Sequence, residues 1–414
     1  MSESSGLPGA RLPHAEFVSL VALLMALNAM AIDVILPALQ QMGESLNVAS
    51  ENTRQLPLTA YIAFFGLSQL IYGTLSDHFG RRPILLFGLA VYVLGSLGAA
   101  LANDFTMLLA MRAIQGVGAG ATRVIAIAVV RDTFGGRRMA SVMSLAMMVF
   151  MVVPIIAPMG GQAILALAGW RAILAAIGLF GLAMTIWCYL RLPETLIDEN
   201  RRPLRLGPVV EAFATVIGNR VACGYAIGTG LLFGALFGFL NSAQQIYQGT
   251  YGIGALFPLA FSASAVSIAI ASFLNSRLVE RLGMRRLSHT ALLVFAAISA
   301  LLCVIAVLGE GHVPFWIFFV CTLAAFTMFA FMGTNFNALA MDPLGHVAGT
   351  ASSVVSSFQT ILGGALGAIV GLLYDGTVLP LSLAFLVLSL LSFGIIVLTE
   401  RNRLFGRLDT KARR

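Results

Sequence analysis

The sequence is short of charge. Asp, Glu, Lys and Arg make up 10% of its 414 residues, while 59% are hydrophobic. Soluble domains carry about 25% charged residues, and a water-soluble fold has no water-free volume large enough for so much apolar surface; a bilayer has. The mean hydropathy of +0.92 agrees. Lysine is nearly absent: of 25 basic residues only Lys411 is one, which reflects a GC-rich genome more than a function. The four cysteines, Cys188, Cys223, Cys303 and Cys321, lie inside apolar runs without metal-ligand spacing. They read as small hydrophobes, so neither a disulfide nor a zinc site is expected. No His/Cys/carboxylate cluster, nucleophile elbow or phosphate loop stands in a plausible context, so neither an enzyme nor a cofactor is expected. Gly116, Gly118 and Gly120 alternate inside an apolar run and read as helix packing, not as a nucleotide fingerprint. The first apolar stretch, about 17–37, lacks a cleavage-site exit and is long enough to remain as a spanning helix.

A helix needs about 20 residues to cross the hydrocarbon core. Apolar runs between charged or turn-rich breaks predict spans near 17–38, 55–75, 83–103, 106–130, 138–163, 168–190, 220–245, 256–277, 286–308, 313–340, 349–372 and 379–398. An even count places both termini on one side. The net charge of +7 reads as an orientation signal rather than nucleic-acid binding, because arginines cluster in alternate loops. With the N-terminus inside, 21 basic residues fall on the inner side, from Arg11 to the six between Arg401 and Arg414. The outer loops hold Arg54 and Arg171, and two arginines remain inside a span. Both termini are therefore expected in the cytoplasm.

The longest hydrophilic stretch, about 191–219, holds Pro193, Pro203, Gly207 and Pro208 among mixed charges and reads as a linker. It separates residues 1–190 from 220–398, each predicted to form a six-helix bundle, with 399–414 as a basic tail. The halves resemble each other. An offset of 203 residues aligns Leu75 with Leu278, Asp77 with Glu280, Gly80 with Gly283 and Arg82 with Arg285. Repeated halves of this kind suit alternating access.

Five motifs carry a resemblance over nearly the whole chain. Asp77, Gly80, Arg81 and Arg82 form a charged loop after span two; Arg112, Gln115, Gly116 and Gly118 stand in span four. Pro154, Pro158, Gly160 and Gly161 lie in span five, Asp33 precedes Leu36-Pro37 at the end of span one, and Leu192-Pro193-Glu194-Thr195 follows span six. In this order they resemble the major facilitator superfamily, and within it the twelve-span drug/proton antiporters of the bicyclomycin and chloramphenicol resistance subgroup. The resemblance implies an all-α membrane fold, two six-helix bundles around a central cavity open alternately to each side. It also implies a monomer in a bacterial inner membrane that exports small amphipathic compounds against protons. The partners expected are a small-molecule substrate, protons and the lipid bilayer.

Ionisable groups at bilayer depth mark functional sites by default, and three stand deep in spans: Asp33, Arg112 and Arg123. Asp33 lies about five residues, and Arg112 about six, from the outer end of its span, so at about 1.5 Å per residue they share a depth with Tyr61. Asp33 is the expected proton carrier and Arg112 its counter-charge; a fixed salt bridge that orders the bundle is the alternative. Arg123, eleven residues after Arg112, occupies the same helix face, with Gln115, Gly116 and Ala119 between. It forms either a structural pair or a second positive charge for an anionic or hydrogen-bond-accepting substrate. The second reading makes the chain a dedicated carrier of an organic anion or other metabolite. The second half offers polar candidates without charge: Asn241, Gln244 and Gln245 in span seven, Asn335 and Asn337 in span ten, Gln359 in span eleven. Gly73, Asp77, Gly80, Arg81 and Arg82 are expected to work as a conformational latch, and the span-five residues Pro154, Pro158, Gly160 and Gly161 as a hinge or seal. Gly363, Gly367 and Gly371 read as close helix packing.

Overall fold

The computed structural model describes residues 12–197, 199, 201, 207–401 and 404–405. Arg11, Arg202, Arg205 and the basic tail beyond Phe405 lie outside the described residues, as do the side chain of Arg137 and parts of the 191–219 linker. Helices follow one another along the chain: α1 (His14–Asp33), α2 (Leu39–Ser45), α3 (Leu56–Phe79), α4 (Arg81–Ala100), α5 (Phe105–Thr133), α6 (Gly136–Arg191), α7 (Gly207–Gly218), α8 (Arg220–Gln244), α9 (Phe257–Leu282), α10 (Met284–Leu308), α11 (Phe315–Met341), α12 (Ala348–Leu372) and α13 (Leu379–Thr399).

Eleven of the described helical segments are long and apolar enough to cross a membrane. One of them is two. A straight helix of the 56 residues in α6 would be about 84 Å long, far beyond a hydrocarbon core of about 30 Å. It turns back at Gly169, whose φ of 78° and ψ of 177° are non-helical and cost least without a Cβ. Twelve membrane-length helices result among the described residues, with a single residue joining the fifth and sixth where the sequence suggested a short loop. Pro154 and Pro158 sit inside continuous helix, and the non-helical φ/ψ within α6 falls at Gly169. The linker is not wholly irregular either, because its last part is α7. Large apolar side chains such as Leu94, Leu179, Leu301 and Leu390 are exposed on the outer helix faces, as lipid contact requires.

The helices form two six-helix bundles, α1 and α3–α6 in the N-half and α8–α13 in the C-half. Within the N-half, α5 lies tightly between α3 and α4. A Cβ at Gly116 would strike the Tyr61 carbonyl, and one at Gly118 the Tyr92 amide. In the C-half, Gly363 and Gly367 of α12 leave room for Phe233 and Phe237 of α8, the close packing the sequence predicted. Many phenylalanines fill the C-half interior: the Phe239 ring lies 4.8 Å from Phe326 and 5.8 Å from Phe261.

The internal repeat has a backbone signature. Gly80 (φ 104°, ψ 155°) and Gly283 (φ 81°, ψ 152°), aligned by the 203-residue offset, turn the chain identically between the second and third helix of each half.

The halves meet through α3 with α12 and α6 with α9. Several cross-half hydrogen bonds lie on the side opposite the termini. Asn52 Nδ2 donates to the carbonyls of Leu372 and Tyr374 at 2.9 and 2.7 Å, Gln245 donates to Asn52 at 3.0 Å, and Gln55 donates to Gln245. Farther in, Ser262 Oγ donates to the Ile155 carbonyl at 2.6 Å and Ser357 to that of Gly66. The described ion pairs at the termini side, Arg81–Asp77, Arg81–Asp132, Arg131–Asp132, Arg191–Glu16 and Arg285–Glu400, each stay within one half.

Candidate functional site

Asp33 is placed by Pro37. A proline ring collides with the carbonyl four residues earlier, so α1 stops at Asp33 and the chain passes through a tight turn, Leu36–Ala38, into α2. The apolar stretch thus runs on to Ser45, longer than the sequence indicated. Asp33 is 5% exposed.

Arg112 is fully buried and does not pair with Asp33. Its Nη2 donates to the Ala31 carbonyl at 2.9 Å, its Nε to the Pro57 carbonyl at 3.2 Å and its Nη1 to Gln115 Oε1, while the guanidinium sits 4.6 Å from the Tyr61 ring centroid. Ala31 lies in the last turn of α1, where carbonyls lack intrahelical donors. The Tyr61 hydroxyl donates to Asn28 at 2.8 Å, and Tyr92 donates to the Leu27 carbonyl at 3.2 Å. Four helices are joined at one level, and Asp33 stands at its edge with no hydrogen bond and no cation within 4 Å among the described residues.

Arg123 is half-buried and likewise has no hydrogen bond or ion pair among the described residues. Gln115, Asn241 and Gln359 each keep a buried amide nitrogen without an acceptor; Asn241 Oδ1 is 3.5 Å from Thr59 Oγ1. Gln244, Gln245 and Asn335 hydrogen-bond within the protein, and Asn337 is exposed. Gln244 and Gln245 belong to the seam opposite the termini, bonded to Gln40 and Asn52. Asn335 donates to Asn275 at 2.7 Å and to the Phe331 carbonyl at 2.8 Å, which is interhelical glue. Asn28 and Tyr92 were missed; an asparagine alone in an apolar run was the available signal.

The charged loop is built around Glu194. One carboxylate oxygen accepts from the amides of Arg81, Thr195 and Leu196, each at 2.9 Å, and the other from the Arg82 amide at 3.1 Å. These Arg81 and Arg82 amides are the free donors at the start of α4, where a negative charge is favoured. A Cβ on Gly80 would collide with this carboxylate. Arg81 binds Asp77, Ser76 and, at 2.8 Å, Asp132; Arg82 reaches the Tyr189 carbonyl at 2.7 Å. A Cβ at Gly73 would stand 3.8 Å from Ser353 Oγ of α12, an ordinary van der Waals contact. The C-half repeats the theme with other atoms: Glu400 accepts from Arg285 at 2.8 Å and from Tyr225 at 2.7 Å. In span five, a Cβ at Gly161 would strike the Val34 carbonyl, whereas Gly160 faces open space, so Gly161 alone serves close packing.

The arrangement agrees with comparisons to known proteins. Residues 21–368 match the Major Facilitator Superfamily model. The chain is 31% identical to a bicyclomycin resistance protein homolog of Haemophilus influenzae over 93% of this chain and 96% of that one. It is 30% identical to a chloramphenicol resistance protein of Pseudomonas aeruginosa over 89% and 87%. Its fold matches the crystal structure of a bacterial homolog of the human lysosomal transporter Spinster, inward-facing and unoccupied, with a TM-score of 0.75 at 15% identity, covering 97% of this chain and 100% of that one. The chain belongs to the Major Facilitator Superfamily, in its bicyclomycin and chloramphenicol resistance branch, and is a membrane transporter, not an enzyme.

Proposed function

We propose that the protein exports drugs or other small amphipathic compounds across a bacterial inner membrane in exchange for protons, with both termini in the cytoplasm. The observation that carries this reading is Asp33: a buried carboxyl inside a membrane-length helix with no partner among the described residues. An unpaired buried carboxylate is costly, so a proton accompanies Asp33 in this arrangement. Loss of that proton requires water, substrate or a rearranged Arg112 to reach it. The seam opposite the termini supports an inward-facing state, and residues 1–190 and 220–398 would rock as two bodies on the 191–219 linker. Asp77, Arg81 and Asp132 would exchange partners when the termini side closes.

The test is transport in everted vesicles with a pH-sensitive dye. Substrate-induced proton release should vanish in Asp33→Asn; proton-coupled transport that survives unchanged removes Asp33 from the mechanism.

A second reading rests on Arg123. An unpaired cation inside the bundle attracts an anion or a strong acceptor, and Gln115, Asn241 and Gln359 add unused donors. It describes a carrier for an organic anion or other metabolite, and transport of matched anionic and cationic compounds distinguishes it from drug export.

A further inference from the structure

The start of α8, the end of α13 and the last turn of α7 enclose an apolar groove on the termini side, apart from the residues assigned to protons or substrate. Its volume is about 340 Å³, within the range of small-ligand pockets (about 300–1,000 Å³). Gly218, Cys223, Gly224, Ile227, Ile395 and Leu398 form its walls, and Arg220 is its one charged residue. Arg220 is exposed and has no hydrogen bond or ion pair among the described residues. The floor is tight, because Thr399 fills the place a side chain on Gly224 would take. At Gly218 the groove is open, with no atom within 4 Å of where a Cβ would stand.

The rim is apolar and uncovered: Leu398 is 76% and Ile217 66% exposed. On α7, Val210, Ala214 and Ile217 make an exposed apolar stripe at i, i+4 and i+7, the pattern of a helix lying in a membrane interface. Arg220 opens the membrane-crossing segment of α8, which puts its guanidinium at headgroup depth. The adjacent helix end is already capped, since Asn219 accepts from the amides of Val221 and Ala222 at 3.0 Å. The charge contact therefore falls to Arg220, with exposed Arg401 two residues beyond Thr399.

We propose that this groove binds one anionic phospholipid of the leaflet on the termini side, its acyl chain between α8 and α13 and its phosphate on Arg220. The occupant follows from the two halves of the site. The apolar walls belong to the termini-side ends of the membrane-length helices α8 and α13, where acyl chains begin, and an arginine with no partner among the described residues stands beside them.

The experiment is native mass spectrometry of the full chain in detergent, titrated with phosphatidylglycerol and with phosphatidylcholine of the same acyl chains. One phosphatidylglycerol should be retained in preference to phosphatidylcholine. Arg220→Gln should weaken phosphatidylglycerol about fivefold, the worth of one arginine near an anionic lipid surface, and weaken phosphatidylcholine less, because the choline cation already offsets its phosphate. Gly218→Phe, which fills open space, should reduce both. Millimolar inorganic phosphate should displace nothing. The proposal is overturned by equal affinity for the two lipids, by an unaltered Arg220→Gln or Gly218→Phe, or by displacement with phosphate, which would mark a site for soluble anions. Unfolding midpoints of the lipid-free variants, equal to the parent, show that lost binding is not lost folding.

Discussion

Arg112 donates to the carbonyl oxygen of Ala31 at 2.9 Å, so the cation expected to face Asp33 is bound to the very helix turn that carries it. The guanidinium has three acceptors in three directions, a geometry that a lysine cannot reproduce. In Arg112→Met the acceptors lose a donor inside the protein, at about 1–3 kcal/mol for each group left unsatisfied. We expect Arg112→Met and Arg112→Lys to lose roughly 2–4 kcal/mol of stability in mixed-micelle unfolding. A stability equal to the parent would deny this network its structural role.

Arg123 predicts the opposite pattern. Nothing in the described protein compensates its charge, so Arg123→Ala removes an uncompensated cation and should hold or raise stability. Transport of an anionic probe should fall at least about tenfold, the worth of one charge-assisted hydrogen bond of about 1.5–3 kcal/mol, while a matched cation is unaffected or faster. Equal losses for both probes would make Arg123 a structural residue.

Glu194 is the cap of α4. Glu194→Ala removes the acceptor of the Arg81 and Arg82 amides and should cost about 0.5–2 kcal/mol, as loss of a helix cap does. Gly80→Ala should cost at least as much, because φ at 104° strains any residue with a Cβ and the added carbon meets the same carboxylate. The check is the unfolding midpoint of each purified variant; a Gly80→Ala midpoint equal to the parent would contradict this account of the turn.

The seam opposite the termini is held by hydrogen bonds, and under the proposed alternating access its strength would set how often that side opens. With Cys188, Cys223, Cys303 and Cys321 replaced, a cysteine at Asn241 should react slowly with an impermeant maleimide added from that side. Removing Asn52 and Gln55 side chains together, by N52A and Q55A, deletes the bonds to Leu372, Tyr374 and Gln245. The labelling rate should rise several-fold, at about 0.5–1.5 kcal/mol for each bond lost. An unchanged rate would place the barrier elsewhere, at Ser262–Ile155 or Ser357–Gly66.

Composition and spacing by themselves settled the membrane class, the all-helical fold and the repeat, and they singled out Asp33, Arg112 and Arg123 as charges inside apolar runs. These depend on transfer free energy and chain length, which are properties of sequence. The turn at Gly169 was blurred because one residue can reverse a helix when its φ is positive, and no composition shift announces it. Tertiary structure alone decided partners. Whether Arg112 faces Asp33 or Ala31 turns on ångström-scale direction within a shared depth, and hydropathy carries no direction. The same holds for Gln245, in the seam rather than in the chamber, and for Asn335, spent on Asn275. A hydrogen bond is won by whichever group the packing brings within about 3 Å, and packing is a property of the whole fold.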